Sequence, residues 1–275
     1  MENIMEIKAE IGLIGGSGFY QFFDPPSGGR SKEIKIKTDY GWPSDKITIG
    51  KIGNKEVAFL PRHGKKHTIP PHKINYQANI SAFKKIGVER IIAPCAAGSL
   101  KEKIRPGDLV FCDQFVDRTK NRKDTFFNGP QVAHIEMADP YCHELRKIAV
   151  NEAKKLNFRT HPNGTVVVIE GPRFSTSAES LWFSKMGWDL VNMTQYPEVV
   201  LAAEMGICYL NISLVTDYDI GVYAQSKIEP VSIEQVLNNF RKNTEKLKNL
   251  ISIIIKNIPD KKTCDCQLKA ERAKI

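Results

Sequence analysis

Short apolar runs rich in β-branched residues alternate with stretches of helical period along most of the chain. AEIGLIGGSG (residues 9–18) predicts a strand opening into a glycine turn, and KITIG (46–50) and EVAFLPRHG (56–64) predict two more. A helical pattern over residues 73–86 precedes ERIIAPCAAGS (89–99), a buried strand running into a loop of small residues. GDLVFCDQF (107–115) reads as a further strand. Asp139 and Pro140 form an N-cap and first-turn pair ahead of the apolar face Leu145, Ile148, Ala149 and Leu156, so a helix is expected to begin there. GTVVVIEGPRF (164–174) reads as an apolar strand, and ICYLNISLVTDYD (207–219) as the last strand region. Between them, SAESLWFSKMG (177–187) and PEVVLAAEMG (197–206) read as short helices closed by glycine. Ser232 with Gln235 makes a capping box before a long amphipathic helix through Val236, Leu237, Phe240, Leu247, Ile251 and Ile254. The alternation predicts one α/β domain, residues 1–258, with a central sheet flanked by helices. Residues 259–275, polar and carrying Cys264-Asp265-Cys266, read as a separate tail. In such sheets ligands sit at strand ends, so the strand-to-loop junctions are where chemistry is expected.

Composition changes this picture little. At 275 residues, with 41% hydrophobic and 26% charged positions, the chain has the make-up of a folded globular enzyme. The net charge of +9 suits a polyanion or a phosphate. The lysines are scattered, however, with no long block of like charge, so nucleic acid is not the expected partner. MENIMEI lacks the apolar core of a signal peptide, and LISIII (250–255) is too short to span a bilayer. A cytoplasmic protein without a membrane span is expected. Cysteines in that compartment are normally thiols. The C-x-C pair leaves a metal-binding pair, a strained redox pair and a disulfide of the hyperthermophile kind all open. The even count of six admits pairing of Cys142 with Cys208, or of Cys264 with Cys266.

Six junctions carry candidate chemistry. Gly15-Gly16-Ser17-Gly18 lacks the spacing of a Walker or dinucleotide loop, yet its backbone N–H groups and the Ser17 hydroxyl could converge on an anion. PRHGKKHTIPPHK (61–73) gathers His63, His67 and His72 with Arg62, Lys65, Lys66 and Lys73. A metal site would need carboxylate or thiol partners that this segment lacks, so no metal ligands are assigned. A nucleic-acid patch would interleave aromatics, and only Tyr76 is near. Arg62 and His63 at a strand end suit two-pronged binding of one phosphate, with an Arg–carboxylate pair as the structural alternative. Cys95 to Ser99 offers small residues to a ligand, and Glu170 to Ser175 ends a strand in Phe174 and a hydroxyl. Val191-Asn192-Met193-Thr194 breaks an apolar run with polar groups, and Thr216-Asp217-Tyr218-Asp219 puts two carboxylates at the end of NISLV.

IGLIGGSG, RHGKKHTIPPHKINYQANISAFK, GSLKEKIRPGDLV, DQFVDRT, IEGPRFSTSAES, VNMTQYPEVVLAAEMGICY and TDYD, in that order, resemble the 5′-methylthioadenosine phosphorylases of the trimeric purine nucleoside phosphorylase family. The likeness spans residues 11–255. It implies a single-domain phosphorylase/hydrolase-like α/β fold with a mixed central sheet. It also implies reversible phosphorolysis of methylthioadenosine to adenine and 5-methylthioribose 1-phosphate, with inorganic phosphate as co-substrate and no cofactor. Ser17, Arg62, His63, Cys95, Ala96 and Thr194 fall on the family's phosphate contacts, Cys95 standing where relatives often carry threonine. The resemblance puts Met193 beneath the ribose, Phe174 and Ser175 near the purine, and Asp217 and Asp219 facing the base, with Asp217 as the general acid. Asparagine stands at the Asp217 position in 6-oxopurine enzymes, so the aspartate implies adenine-type nucleosides. His134 resembles a residue bordering the methylthio pocket of a neighbouring subunit, which implies a homotrimer or a pair of trimers. Residues 220–230 look longer than in relatives and lead to Ile233 near the 5′ pocket. A broader purine phosphorylase accepting adenosine, inosine and guanosine is therefore the alternative, ahead of a nucleosidase or a nucleic-acid-binding protein.

Overall fold

The computed structural model describes residues 8–16, 19, 31–219 and 232–275. Between residues 233 and 242 it describes the backbone with the side chains of Glu234 and Asn238. In chain order the elements are β1 (Ile11–Gly15), β2 (Lys32–Ile34), β3 (Ile47–Ile52), β4 (Lys55–Pro61), α1 (Tyr76–Lys85), β5 (Arg90–Ser99), β6 (Leu109–Val110), β7 (Gln114–Arg118) and α2 (His143–Lys155). There follow β8 (Thr160–His161), β9 (Thr165–Ile169), α3 (Ser177–Lys185), β10 (Leu190–Asn192), α4 (Gln195–Glu204), β11 (Cys208–Tyr218), α5 (Ile233–Asn257) and α6 (Cys266–Arg272).

Two apolar layers sandwich the sheet, and strand alternation feeds both. Val57 and Phe59 of β4 and Leu210, Ile212 and Leu214 of β11 pack under α2 and α5, with Leu145, Ala149, Leu250 and Ile254. Ala58, Leu60, Tyr209 and Val215 point the other way, toward Ile80 and Phe83 of α1 and Val199 and Leu201 of α4. β5 sits at the centre. It runs parallel to β1 through residues 90–92 and parallel to β11 through all ten of its residues. At its far end Gly98 and Ser99 pair antiparallel with β10, which continues through β9 to β7. β2 and β3 add antiparallel strands beyond β4. The sheet is mixed and helix-covered, as expected. Among the described residues no helix is long and apolar enough to cross a membrane.

Local departures from the sequence-based reading have physical causes. The stretch 107–115 is two strands, not one. Phe111 N–H turns to His161 O, and Asp113 Oδ1 accepts the Gly164 N–H at 2.8 Å, which breaks the ladder between β6 and β7. α2 begins at His143 rather than at Asp139. Its N-cap, Cys142, is extended, and the Cys142 N–H donates to Tyr209 O beside β11, a pairing incompatible with an earlier helical turn. α1 starts at Tyr76, because Pro71 opens a separate 3₁₀ turn and the Asn75 side chain then accepts from Ala78 N. A capping box caps α3, where Thr176 and Glu179 bond reciprocally. The side chain of Gln235, in the box expected at α5, lies outside the described residues.

The C-terminal tail packs onto the body. Lys55, only 4% exposed, is bracketed by Glu10 and Asp260, and Arg90 Nη2 donates to Pro259 O at 2.8 Å. His134 N–H donates to Ala273 O at 2.8 Å, and Ile275 N–H to Val132 O at 3.0 Å. Gly206 makes the docking of α6 possible. Its φ is +68°, and a Cβ there would lie 3.3 Å from the Gln267 Cα. Gly206→Ala is therefore expected to cost about 1–2 kcal/mol, from left-handed strain with crowding added. A lowered denaturant midpoint with unchanged m-value would register it; an unchanged midpoint would contradict this account.

Candidate active site

Loops at one end of the sheet close around a cavity of about 440 Å³. Residues from the ends of β4, β5, β9, β10 and β11 line it. Arg62, His63, Cys95, Ala96, Phe174, Ser175, Met193, Thr194, Asp217 and Asp219 all face the same space. Gly16 lines it beside Ser17, which lies outside the described residues, as does the side chain of Ile233. His134 is exposed and does not line this cavity.

Arg62 immediately follows β4, and its guanidinium is 2% exposed. Nε and Nη2 grip Glu198 of α4 at 2.6 and 3.0 Å, while Nη2 and Nη1 also donate to Ile14 O and Pro94 O. The carboxylate pair held open as the structural alternative is thus present, on a residue that still borders the cavity. Tyr209 Oη donates to the same carboxylate at 2.8 Å. Burial works against the Arg62 charge, and Glu198 more than offsets it, holding the guanidinium above its ordinary pKa. Among the described residues, partners take four of its five N–H donors, leaving one on Nη1.

His63 stacks on His67 with ring centroids 4.6 Å apart and bonds Ile69 O through Nδ1 at 2.9 Å. Burial, then the Arg62 charge, push its pKa down to about 4, so the ring is neutral near pH 7. A neutral ring that donates from Nδ1 keeps Nε2 as an acceptor. Thr194 is the N-cap of α4 without using its side chain. Asn192 Oδ1 does the capping, accepting from Thr194 N and Gln195 N at 2.7 and 2.9 Å, while its Nδ2 reaches Ala96 O. Cys95 lines the cavity, but its sulfur also sits in an interior polar cluster, 3.2 Å from Asn211 Nδ2 and 3.5 Å from Ser213 Oγ.

The two acids stand where β11 breaks register. Val215 pairs with Ala97 and Asp217 with Gly98, so Thr216 is an inserted residue. Its hydroxyl donates to Asp217 Oδ1 at 2.6 Å. Asp217 is 7% exposed, and burial first, then Asp219, push its carboxyl up to about 6 against the hydrogen bond from Thr216. Gly98 leaves the room for this: a Cβ there would lie 3.1 Å from Asp217 Oδ2 and 3.5 Å from the Asp219 Cβ. Ser175 Oγ is buried and has no partner among the described residues, a polar atom facing the cavity.

Arg122 is the site-building residue that sequence reasoning did not find. Its side chain is 3% exposed and spans two loops. Nη1 donates to Met193 O and Tyr196 O at 2.9 and 2.6 Å, and Nη2 to Glu170 O at 2.8 Å. It thereby holds the segment carrying Met193 and Thr194 against the one carrying Phe174 and Ser175. Gly171, at φ +65°, completes that contact, since a Cβ there would meet Met193 Sδ at 2.6 Å. DQFVDRT stops three residues short of Arg122, and Glu198 sits in a helical run where a core-facing acid reads as surface.

The sequence profile described as "Phosphorylase superfamily" matches residues 10–256. The chain belongs to the phosphorylase superfamily. Within it, an S-methyl-5′-thioadenosine phosphorylase of Saccharolobus solfataricus is 54% identical over 263 residues, 94% of each chain. One of Thermofilum pendens is 50% identical over 270 residues, covering 98% of this chain and 99% of the relative. Among solved structures, the methylthioadenosine phosphorylase of Schistosoma mansoni in complex with adenine superposes with a TM-score of 0.87 at 36% identity, covering 97% of both chains. A variant adenosine/methylthioadenosine phosphorylase from the same organism, in complex with methylthioadenosine, gives 0.86 at 34% identity, covering 97% of this chain and 98% of the other. These likenesses extend over the whole phosphorylase fold.

Two predictions follow from the geometry of this phosphorylase site. Asp217 has a folded pKa above its unfolded value, so the folded state takes up a proton as pH falls through about 6. Its buried charge then costs stability in full above that pH, by about 3 kcal/mol, and the cost fades toward pH 4. Asp217→Asn should raise the melting temperature at pH 8 and leave it unchanged near pH 4; equal melting at both would contradict the assignment. Arg122→Met should lower kcat/KM by about 10²-fold through misplaced loops. Arg122→Lys should recover part of the loss, whereas parity of the methionine variant with wild type would remove the role given to Arg122.

Proposed function

We propose that this chain catalyses the reversible phosphorolysis of 5′-methylthioadenosine, releasing adenine and 5-methylthioribose 1-phosphate. The observation that carries the reading is Asp217: a buried carboxyl poised near pH 6, sharing one cavity with Arg62 and His63. Breaking the N-glycosidic bond leaves a cationic sugar and an anionic purine, so the site must stabilise opposite charges within a few ångströms. Asp217 in its carboxylic form donates to purine N7 and neutralises the leaving group. Asp219 accepts from the exocyclic 6-amino group. A 6-oxo group facing these carboxylates would leave acceptors unpaired, which disfavours inosine and guanosine.

Phosphate is the nucleophile and needs no further cofactor. It is held by the remaining Arg62 N–H, by Ser17, by the Thr194 hydroxyl and by the backbone around Cys95 and Ala96. His63, neutral and with Nε2 as acceptor, favours a phosphate that still carries a proton. Met193 supports the ribose, Phe174 and Ser175 border the purine, and Ile233 lies toward the 5′-methylthio group. In the cytoplasmic homo-oligomer His134 is offered to a neighbouring subunit's cavity, consistent with its exposure here.

The test is adenine release from methylthioadenosine with and without phosphate, with inosine in parallel. Phosphate-dependent release that outpaces inosine cleavage is expected, and Asp217→Ala should lower it about 10²–10⁴-fold. Release without phosphate would indicate a nucleosidase, and equal use of inosine a broad purine phosphorylase.

A further inference from the structure

A buried relay of four polar side chains ends beneath the cavity. Tyr141 Oη donates to Gln195 Oε1 at 2.6 Å, and Gln195 Nε2 to Ser213 Oγ at 3.1 Å. Ser213 Oγ donates to Asn211 Oδ1 at 2.7 Å, and Asn211 Nδ2 to Ala93 O at 3.0 Å. All four side chains are buried. Asn211 and Ser213 of β11 stand beside Ala93 and Cys95 of β5, and Asn211 Nδ2 is also 3.2 Å from Cys95 Sγ. The direction of the relay is fixed from one end. Ala93 O can only accept, so Asn211 turns its amide there and its carbonyl to Ser213. Ser213 then accepts from Gln195 Nε2, which leaves Gln195 Oε1 for the tyrosine hydroxyl. Burial makes any unmade bond costly, so Gln195 is held in one orientation.

That orientation matters because of what flanks Gln195. Thr194, before it, lines the cavity. Tyr196, after it, has φ −102° and ψ 135°, extended rather than helical, so α4 is interrupted at its second residue. Helical bonding therefore does not place the segment that carries Thr194. Side chains place it instead. Asn192 Oδ1 accepts the amides of Thr194 and Gln195, and Arg122 takes the carbonyls of Met193 and Tyr196. Asn192 also reaches across to Ala96 O at 3.2 Å. The Gln195 side chain is the link that ties this segment down to β11 and, through Asn211, to β5 beside Cys95.

We propose that Gln195 is a positioning residue that sets the affinity for phosphate, an inference that rests on the phosphorolysis reading for the identity of the anion. Gln195 touches no substrate. Thr194 stands on one wall of the phosphate subsite and the backbone of Cys95 and Ala96 on the other, and the Gln195 amide fixes the span between them. The Cys95 sulfur is engaged by Asn211, so the backbone at that position is what the anion meets. The purine side is built separately: Asp217 lies beyond the register break of β11, and Phe174 follows β9. Loosening Gln195 therefore weakens the grip on the nucleophile and spares the grip on the nucleoside.

The experiment compares the wild-type chain with Gln195→Leu, which keeps the side-chain bulk and removes both bonds, and Tyr141→Phe, which removes only the orienting hydroxyl. Initial rates of adenine release are measured against phosphate and against methylthioadenosine. The rise in melting temperature with inorganic phosphate alone and with adenine alone is recorded beside them. In Gln195→Leu the KM for phosphate should rise about tenfold and the KM for the nucleoside change by less than about twofold, with kcat recovered at saturating phosphate. Tyr141→Phe should show the same split to a smaller degree, and it decides the matter if Gln195→Leu does not fold. The thermal gain from phosphate should shrink in the same order while the gain from adenine persists. A merely structural role would lower the melting temperature and leave the split unmoved. That result would overturn the proposal, as would an equal rise in both KM values or a fall in kcat with phosphate KM unchanged. So would a wild-type chain that phosphate does not stabilise. A wild-type chain stabilised by phosphate that releases no adenine would instead defeat the phosphorolysis reading, and the thermal gain from phosphate would still decide the role of Gln195.

Discussion

β5 and β11 run side by side in parallel register for the full length of β5, and the rest of the molecule is arranged around that contact. Their apolar residues feed both core layers, so neither strand can slip without moving side chains to the wrong face. At the far end the register breaks by one residue, and both acids emerge there. At the near end of β11 lies Cys208. One strand thus supplies the cavity with its carboxyls at one end and touches the tail, through Cys208 and Cys264, at the other.

The cavity holds more charge than its burial would ordinarily allow. Arg62 and Glu198 neutralise each other, and Tyr209 takes up part of what remains of the carboxylate. A buried ion pair of this kind adds little net stability, since desolvation consumes most of the attraction. Its effect here is directional: four donors are fixed on protein, and the orientation of the fifth follows. Among the described residues Asp217 has no such cation beside it. It answers burial by keeping its proton up to about pH 6, well above the ordinary carboxylate range, and the protonated state is the one in which a carboxyl can donate.

Much of this was legible from residue order alone. Strand ends such as EVAFLPRH and NISLVTDYD announce their chemistry because the polar residues directly follow an apolar run. The mixed sheet and nearly every helix could be read from periodicity. Arg122 and Glu198 could not, because their roles come from partners far away in the chain: Arg122 from carbonyls 48 to 74 positions distant, Glu198 from Arg62, 136 positions distant. The split of residues 107–115 was hidden for the same reason, since Asp113 is turned by Gly164, 51 positions on. The tail looked detached because its anchors, Lys55 and Arg90, are charges buried in strands, a combination that composition does not reveal.

The segment around His134 has a consequence for how the protein is handled. Ala133 bridges Lys274, and the amide of His134 is held by Ala273, so the last three residues act as a splint for a surface loop. In the proposed assembly that loop serves the neighbouring subunit. Affinity tags or fusions appended to the carboxyl terminus would then disturb substrate handling in the adjacent protomer rather than in the one that carries them, and mixed oligomers of tagged and untagged chains would show the defect in trans.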